Sequence, residues 1–443
     1  MIGPVTINPA DGTHLAAHPY TTPDELSAAL DLAVRGRMEG SREVGLRELA
    51  VRLRMGRERY ATLITTEMGK PIAQARAEID KCALTCEYYA GLALTVPQPA
   101  EIGHVRVLPL GVVLAVMPWN YPFWQVIRSM VPALAIGNTA VLKHADNVTG
   151  CALAVQDLFD EAFGPGVLTT VVLPAERIGP LIDDPRIAAV AFTGSNRVGA
   201  IVAARAGGVV KKCVLELGGS DPFIVLDDAD VEAAAAAAVR SRFLNAGQSC
   251  IAAKRITVHE AVHEEFVEAL KDEAGRLAVG DPFDETTDVG PMARADLRDE
   301  LRRQLDATLS AGGRLLFGGD RDDRPGAWFP PTLVEVDGTD NPAFTEETFG
   351  PLGAVLAVGS VAEAVHVANK TIYGLSASVW TADVERAQAL GVQAGSLFVN
   401  RISESDPRLP VGGVKASGHG RELGIHGALE FANLQSVRTG GTA

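Results

Sequence analysis

The pattern of apolar and polar residues changes character once along the chain, near residue 112. Before that point, a threonine, a proline and a glutamate at capping spacing predict a helix start at residues 22–25. Charged, helix-favouring sequence continues to about residue 70, and a further helix is predicted to end near residue 89. A proline-containing polar stretch at 97–103 then interrupts the pattern.

From residue 112 onward, short apolar runs alternate with amphipathic stretches of helix length. The runs predicted as strands are residues 112–117, 139–143, 168–173, 188–193 and 212–217. Strands separated by helices must pair in parallel. The pattern therefore predicts a doubly wound α/β sheet, which binds ligands at the carboxyl ends of its strands.

The alternation repeats after Gly218 and Gly219, with a helix predicted at 230–244, a strand at 255–258 and further elements up to Val399. A second α/β domain is therefore expected. The polar stretch 318–326 is predicted to be a surface loop inside it.

Composition excludes several classes of partner. The chain has 55 acidic and 40 basic residues and a formal charge of -15, which repels nucleic-acid phosphates and anionic membrane surfaces. The first twelve residues have neither a basic nor an apolar region, so no secretory signal is expected. The most apolar stretch, residues 108–117, is shorter than the roughly 20 residues that span a bilayer. No nucleic-acid or membrane partner is expected.

The five cysteines are odd in number and scattered, unlike the even framework of a secreted disulfide domain. A cytoplasmic location is expected. Cys82 and Cys86 share one helical face, but no second pair of ligands stands at metal-binding spacing. They are predicted to be core residues, and no metal site is expected.

Residues 259–263 match H-E-x-x-H, the zinc-protease pattern. That pattern needs both histidines on one helix face. Here His259 is predicted to end a strand and the helix to begin only near His263, so a metalloprotease is rejected.

Two residues are candidates for covalent chemistry. Cys250 follows a small, polar segment that permits substrate access, as a nucleophilic thiolate requires, although a lone cysteine can also be an inert core residue. Glu216 ends a predicted strand, where a doubly wound sheet places working groups, and is a candidate general base. The alternative is a strand-end glutamate that faces solvent.

Two further segments follow predicted strands. Two prolines in 118–122 fix a turn that orients the Asn120 amide, a candidate oxyanion donor, although the turn could simply satisfy its own backbone. Gly194 and Ser195 lead into a helix near Asn196, where amides and a hydroxyl can meet a pyrophosphate. No G-x-G-x-x-G follows any strand, so the usual dinucleotide fingerprint is absent.

Together these segments resemble the aldehyde dehydrogenase superfamily over nearly the whole chain. The motifs that carry the resemblance are residues 118–120, 215–219, 247–250 and 346–351. The resemblance implies a dinucleotide-binding domain (1–90 and 107–218), an α/β catalytic domain (219–418) and a small oligomerisation arm with a tail (91–106 and 419–443). A homodimer or homotetramer is expected.

The resemblance also implies a mechanism. The Cys250 thiolate attacks an aldehyde carbon, and the Asn120 amide and the Cys250 backbone N–H hold the oxyanion. Hydride then leaves for a nicotinamide, and Glu216 activates the water that hydrolyses the thioester.

For the cofactor, the resemblance implies a set of contacts that does not need the glycine fingerprint. These are Trp119 and Ser195 at the pyrophosphate, Lys143 and Asp146 at the adenosine ribose, and Glu347 and Phe349 at the nicotinamide ribose and ring. NAD or NADP is expected. NAD should be preferred by a small margin, because the Asp146 carboxylate repels a 2′-phosphate, although Lys143 and His144 could soften the repulsion.

Within the superfamily the sequence is most similar to shorter, bacterial succinate-semialdehyde dehydrogenases, including the stretch 69–78. Arg128 and Ser405 match positions that hold the far carboxylate of that substrate, and Tyr121 is also expected in the substrate pocket. The alternative for Arg128 is an ion pair with a protein carboxylate. The alternatives are another semialdehyde or an uncharged aldehyde. A non-catalytic member of the superfamily would be expected to lack Cys250, Glu216 or Asn120.

Two departures from the pattern of these enzymes bear on the substrate. Leu244 stands where many have a second carboxylate-binding arginine, and Ser129 stands where many members have a proton-relay lysine. The candidates to compensate for the missing arginine are Arg242, Arg401 and Arg408, with a surface position as the alternative for each.

Overall fold

The computed structural model describes residues 3–36, 42–99 and 102–439. The helices are α1 Pro23–Arg35, α2 Arg42–Met55, α3 Arg57–Met68, α4 Ile72–Gly91, α5 Trp124–Ala135, α6 Thr149–Phe163, α7 Ile178–Asp183, α8 Asn196–Gly208, α9 Val231–Phe243, α10 His263–Gly275, α11 Ala295–Ser310, α12 Pro342–Thr345, α13 Val361–Asn369, α14 Val384–Ala389 and α15 Gly424–Glu430.

The strands form two large sheets and two small ones. They are β1 Val5–Ile7, β2 His14–Ala17, β3 His104–Pro109, β4 Val112–Met117, β5 Thr139–His144, β6 Leu168–Thr170, β7 Ile187–Thr193, β8 Lys212–Glu216, β9 Asp221–Val225, β10 Ala253–His259, β11 Arg314–Phe317, β12 Thr332–Glu335, β13 Leu352–Val358, β14 Ser376–Trp380, β15 Ser396–Val399, β16 Gly418–His419 and β17 Ala432–Val437.

The first large sheet has the order β16-β8-β7-β4-β5-β6 and is parallel except for β16. Its five parallel strands are those predicted from the apolar runs, which confirms the doubly wound sheet. The run predicted at 168–173 is shorter as a strand, because Pro174 and a 3-10 helix at 175–177 follow closely. The two-residue β16 brings the chain back to this sheet beside Glu216.

The second large sheet has the order β11-β12-β13-β10-β9-β14-β15, and only the β11–β12 pair is antiparallel. The predicted second α/β unit is confirmed. Strand β9 was missed by pattern reading, because Asp221 and Pro222 are poor strand residues. On the β14 side, strand pairing begins only at Phe223, and Asp221 Oδ1 accepts from the Ser376 N–H at 3.1 Å.

A separate antiparallel pair joins β3 to β17, from Pro109 opposite Ala432 to Val437 opposite His104. These are the two segments predicted to form the arm. The predicted boundary at 106/107 falls inside β3, and residues 100, 101 and 440–443 lie outside the described parts of the chain.

The N-terminal region was predicted only in part. The capping box at the start of α1 is present. The predicted helical stretch is divided into α1, α2 and α3, with 37–41 outside the described residues. The hairpin of β1 and β2 was not predicted.

A buried ion pair ties α4 to α5. The residue before α5 provides no side-chain cap, and Glu78 Oε1 of α4 instead accepts from the backbone N–H groups of Phe123 at 2.9 Å and Trp124 at 3.0 Å. Lys70 Nζ pairs with Glu78, and both side chains are 1% exposed. The start of α5 is therefore held against α4 by the Glu78 carboxylate, which is buried away from water.

The H-E-x-x-H segment has the predicted structure. His259 ends β10, while His263 begins α10 and its Nε2 lies 2.9 Å from Glu335 Oε1. Among the described residues, no group of three or more His, Cys, Asp or Glu is placed to hold a metal ion. In the same part of the chain, no helix is long and apolar enough to cross a membrane.

Candidate active site

The predicted nucleophile and oxyanion donor line one cavity of about 500 Å³. Asn120 follows β4, and Cys250 precedes β10. One face of α4, one face of α5, the end of α9 with Leu244, and the segment 402–405 contribute further lining residues. Glu216, the last residue of β8, is buried next to the cavity residue Arg128.

The chain before Cys250 has an unusual backbone. Asn245, Ala246 and Gly247 all have positive φ, at 56°, 51° and 70°. Such a run is strained for non-glycine residues and requires support from its surroundings. Arg242 supplies it, since its Nη2 donates to the carbonyls of Gly247 at 2.6 Å and Gly350 at 2.5 Å.

The three arginines considered as replacements for the missing one do not point at the substrate. Arg242 is fully buried and supports the cysteine loop. Arg401 pairs with Glu404, and Arg408 pairs with Asp406 at 2.6 Å. Both of these side chains are about 70% exposed, at 69% and 73%. Surface placement is thus correct for Arg401 and Arg408 but wrong for Arg242.

Lys254 is a site residue that the sequence analysis missed. Its Nζ donates to the carbonyls of Ser249 at 2.8 Å and Cys250 at 2.7 Å, and it lies 3.6 Å from Glu347 Oε1. Two adjacent basic residues, Lys254 and Arg255, inside the buried strand β10 were the available signal. Burial raises the pKa of Cys250 to about 11, while Arg128 and Lys254 act in the opposite direction.

The Asn120 amide is held from two sides. Its Nδ2 donates to the Gln248 carbonyl at 3.1 Å, and its Oδ1 accepts from Gln125 Nε2 at 3.2 Å. One amide hydrogen remains without a bond and can donate to an oxyanion. The turn therefore does more than satisfy its own backbone.

His144 supports the same turn. Its Nε2 lies 2.8 Å from the Pro122 carbonyl, which can only accept, and its Nδ1 accepts from the Ala145 N–H at 2.8 Å. Both bonds require the neutral ring, and burial lowers the pKa of His144 to about 4. His144 is buried and uncharged, so the expectation that it softens repulsion near Asp146 is wrong.

Glu216 is only 3% exposed, which excludes a solvent-facing role. Burial and the nearby Glu422 raise its pKa to about 8, against the opposing effect of Arg128. Its Oε1 has no hydrogen-bond partner among the described residues and can accept from a water molecule.

Arg128 lines the cavity, but protein carboxylates face it. Its Nε lies 2.5 Å from Glu422 Oε2 and its Nη2 lies 3.9 Å from Glu216 Oε2. Glu422 is a second residue of the site whose role the sequence analysis did not identify. Arg128 thus lies beside two carboxylates, while its Nε and Nη2 have no hydrogen-bond partner among the described residues.

Ser405 lies in the same cavity and contacts a lysine that was not predicted. Lys81 Nζ donates to Ser405 Oγ at 2.8 Å and lies 4.5 Å from the centroid of the Trp124 ring. Burial, and then the Arg128 charge, lowers the pKa of Lys81 to about 8. Tyr121 also lines the cavity, with Lys70 Nζ 3.7 Å from its ring centroid.

The residues expected at the cofactor lie along the carboxyl ends of the first sheet. Trp119 and Phe349 form an edge-to-face pair, with ring centroids 5.7 Å apart. Glu347 Oε1 accepts from the Gly219 N–H at 3.0 Å. Lys143 Nζ and Asp146 Oδ1 lie 2.9 Å apart.

The entry to α8 has the features of a phosphate site. Ser195 is the N-cap of this 13-residue helix and follows Gly194. The Thr193 Oγ1 at the end of β7 is buried and has no hydrogen-bond partner in the part of the chain that the structure describes. Free N–H groups at a helix start and an unpaired buried hydroxyl suit a pyrophosphate.

Known proteins share this sequence and fold. Residues 5–437 match the aldehyde dehydrogenase family. The chain is 44% identical to a succinate semialdehyde dehydrogenase [NAD(P)+] of Escherichia coli, over 98% of this chain and 97% of that protein. It is also 44% identical to a probable succinate-semialdehyde dehydrogenase [NADP(+)] of Synechocystis, over 98% of each. The crystal structure of succinic semialdehyde dehydrogenase from Streptococcus pyogenes in complex with NADP+ superposes with a TM-score of 0.95 at 34% identity, covering 99% of this chain and 100% of that one.

Proposed function

The chain belongs to the aldehyde dehydrogenase family, and from that membership we propose that it oxidises succinate semialdehyde to succinate with NAD or NADP. One observation supports the choice of substrate. A single cavity contains the Cys250 nucleophile, the hydroxyl of Ser405 and four basic residues, which are Lys70, Lys81, Arg128 and Arg240. An aldehyde that carries a distant carboxylate matches such a cavity.

The reaction consumes aldehyde, water and oxidised dinucleotide and yields carboxylate, reduced dinucleotide and protons. The Cys250 sulfur adds to the aldehyde carbon after losing its proton, and the new oxyanion accepts from the Asn120 amide and the Cys250 N–H. When bound, a nicotinamide dinucleotide supplies the acceptor for the hydride. Glu216 then removes a proton from the water that attacks the thioester, which releases the acid and restores the Cys250 sulfur.

For the dinucleotide, we propose the residues at the carboxyl ends of the first sheet. Ser195 and the N–H groups that follow it would meet the pyrophosphate together with Trp119, and Lys143 and Asp146 would meet the adenosine ribose. Glu347 and Phe349 would contact the nicotinamide ribose and ring. Because Asp146 already faces Lys143, we propose that NAD is used somewhat better than NADP.

Two proposals concern the protein in the cell. The β3–β17 pair leaves Leu434 half exposed, and we propose that it mediates a homodimer or homotetramer.

All five cysteines are free thiols, and Cys250 must stay reduced to act as a nucleophile. A reducing compartment, the cytoplasm, is proposed on that ground.

The test is steady-state kinetics with succinate semialdehyde, glutarate semialdehyde and butanal, using each dinucleotide in turn. We expect the highest kcat/KM for succinate semialdehyde, and a clear preference for butanal would contradict the proposal. Cys250→Ala is the inactive control. It should remove turnover, while dinucleotide binding, measured by fluorescence, should be nearly retained. Substantial turnover by Cys250→Ala would contradict the assignment of the nucleophile.

A further inference from the structure

We propose that Lys254 is a positioning residue, which orients the peptide group that presents the Cys250 N–H to the oxyanion. The inference rests on the proposed function, which makes Cys250 the nucleophile and its N–H an oxyanion donor. Lys254 lies on β10, four residues after Cys250, and its side chain is 0% exposed. A lysine buried to this degree needs partners for its charge and for its hydrogens.

Each of the three hydrogens of the Lys254 ammonium has an acceptor nearby. Two are donated to the carbonyls of Ser249, at 2.8 Å, and of Cys250, at 2.7 Å. The third is left for Glu347 Oε1, which lies 3.6 Å from Nζ. Two carbonyls and one carboxylate therefore hold the ammonium in one position.

The two carbonyls belong to the peptide groups on either side of the Cys250 Cα atom. The peptide bond between Ser249 and Cys250 is trans, so the Ser249 C=O and the Cys250 N–H point in opposite directions. Because Lys254 holds the oxygen end of this group, the Cys250 N–H is directed away from the buried ammonium. Within the described part of the chain this N–H has no hydrogen-bond acceptor, so it is free to meet an oxyanion.

The charge of Lys254 also strengthens this donor. Burial lowers the pKa of Lys254, with Arg242 acting in the same direction, while the carboxylates of Glu347 and Asp221 favour the charged form. A cation at a carbonyl oxygen draws electron density from its peptide group, which makes the N–H of the same group a stronger donor.

Both oxyanion donors are held against one short stretch of chain. The Gln248 carbonyl accepts from Asn120 Nδ2 at 3.1 Å, and the next two carbonyls accept from Lys254. Loss of Lys254 leaves the Asn120 contact in place and releases the peptide group of Cys250. One of the two donors should therefore be weakened selectively.

The test compares two reactions of the Cys250 sulfur in Lys254→Met, a variant that has neither charge nor donors at this position. Addition to an aldehyde forms an oxyanion, and rapid mixing with saturating NAD follows it as the first turnover of reduced dinucleotide. Alkylation by iodoacetamide forms a sulfur–carbon bond, releases iodide and makes no oxyanion. The ratio of the first-turnover rate to the alkylation rate cancels any change in the thiolate fraction.

We expect this ratio to fall about 30-fold or more, somewhat less than the effect of removing an oxyanion donor outright. Alkylation itself should be unchanged or slower, because Lys254 opposes the rise in the pKa of Cys250 that burial causes. Lys254→Gln lacks the charge and the reach of lysine and should give the same fall, which keeps the test available if the methionine variant does not fold. Cys250→Ala gives the background from the other thiols, and Lys271→Met on α10 is the control for a lost charge.

Equal losses in the two reactions, or no loss in either, would overturn the role of Lys254. Faster alkylation together with lost turnover would also overturn it, because the loop would then have opened. Succinate semialdehyde and butanal should show the same fall in the ratio, since either aldehyde forms its oxyanion at Cys250. A wild-type enzyme that prefers butanal would contradict the proposed substrate without affecting this comparison.

Discussion

A carboxyl group that is buried beside another carboxylate holds its proton at higher pH, and Glu216 is in that position. With a pKa of about 8, it is mostly protonated at neutral pH and becomes a base only as the pH rises. We therefore expect kcat to rise through about pH 8 when deacylation limits turnover.

Glu216→Gln should remove that rise. Because hydride transfer precedes deacylation, the variant should still give a burst of reduced dinucleotide, followed by a steady rate lower by roughly 100-fold or more. Rapid-mixing absorbance measures both phases. A variant that lacks the burst would show that Glu216 acts before hydride transfer.

Dinucleotide choice is also decided by single residues. Asp146→Asn removes a negative charge and releases Lys143 from its 2.9 Å contact. The KM for NADP should fall about five- to tenfold, because a 2′-phosphate then meets a free ammonium, while that for NAD changes little. Asp157→Asn on α6 is the control for net charge. Higher catalytic efficiency with NADP than with NAD in the wild type would contradict the proposed preference.

At the scale of elements, the stability of the cavity depends on how α4 and α5 are joined. Glu78→Gln leaves Lys70 as an unpaired buried charge, which should cost about 3–5 kcal/mol. The double variant Lys70→Met, Glu78→Gln has no buried charge and should regain much of the loss. In thermal melting, the Tm should be highest for the wild type, lower for the double variant and lowest for Glu78→Gln. A double variant that melts below Glu78→Gln would show that the pair stabilises the fold in itself.

The elements that pattern reading predicts well are those whose local sequence agrees with their packing. Strand β4 matches its apolar run from Val112 to Met117, and α1 begins at its capping box. Strand β9 was not predicted, because its pairing on one side depends on the Asp221 side chain and on β14, whose Ser376 lies 155 residues from Asp221 in sequence.

The residues of the site divide in the same way, into those that a local motif predicts and those that only the fold brings together. Cys250, Asn120 and Glu216 could be found because each follows or precedes a strand in a short motif. Lys254, Glu422 and Lys81 contact the site from separate segments, and only the fold brings them together. The sequence left open whether Arg128 meets the substrate or a protein carboxylate, and only the fold places Glu422 beside it.

At the scale of the whole molecule, the β3–β17 pair joins two segments that are far apart in sequence. Strand β3 precedes the first strand of the first large sheet, and β17 follows the last helix. A two-stranded sheet is seldom stable alone, and the exposed Leu434 offers it an apolar contact. Leu434→Asp should shift the mass measured by light scattering from dimer or tetramer toward monomer. Asn433→Asp, on the adjacent residue, is the charge control. A wild-type monomer at micromolar concentration would contradict the proposed assembly.

The cavity is assembled from two sets of residues that are separate in the sequence, and this bears on how such an enzyme can diverge. The groups proposed to perform the reaction lie at strand ends, and the backbone that precedes Cys250 has positive φ at Asn245 and Ala246. Most of the other residues that line the cavity are on one face of α4, on one face of α5, at the end of α9 and on the segment 402–405. Mutations on the helix faces can therefore alter which aldehyde is accepted without changing the residues proposed to perform the reaction. Over evolution, substrate preference can therefore change by single substitutions at lining positions that lie about one helical turn apart on α4 or α5.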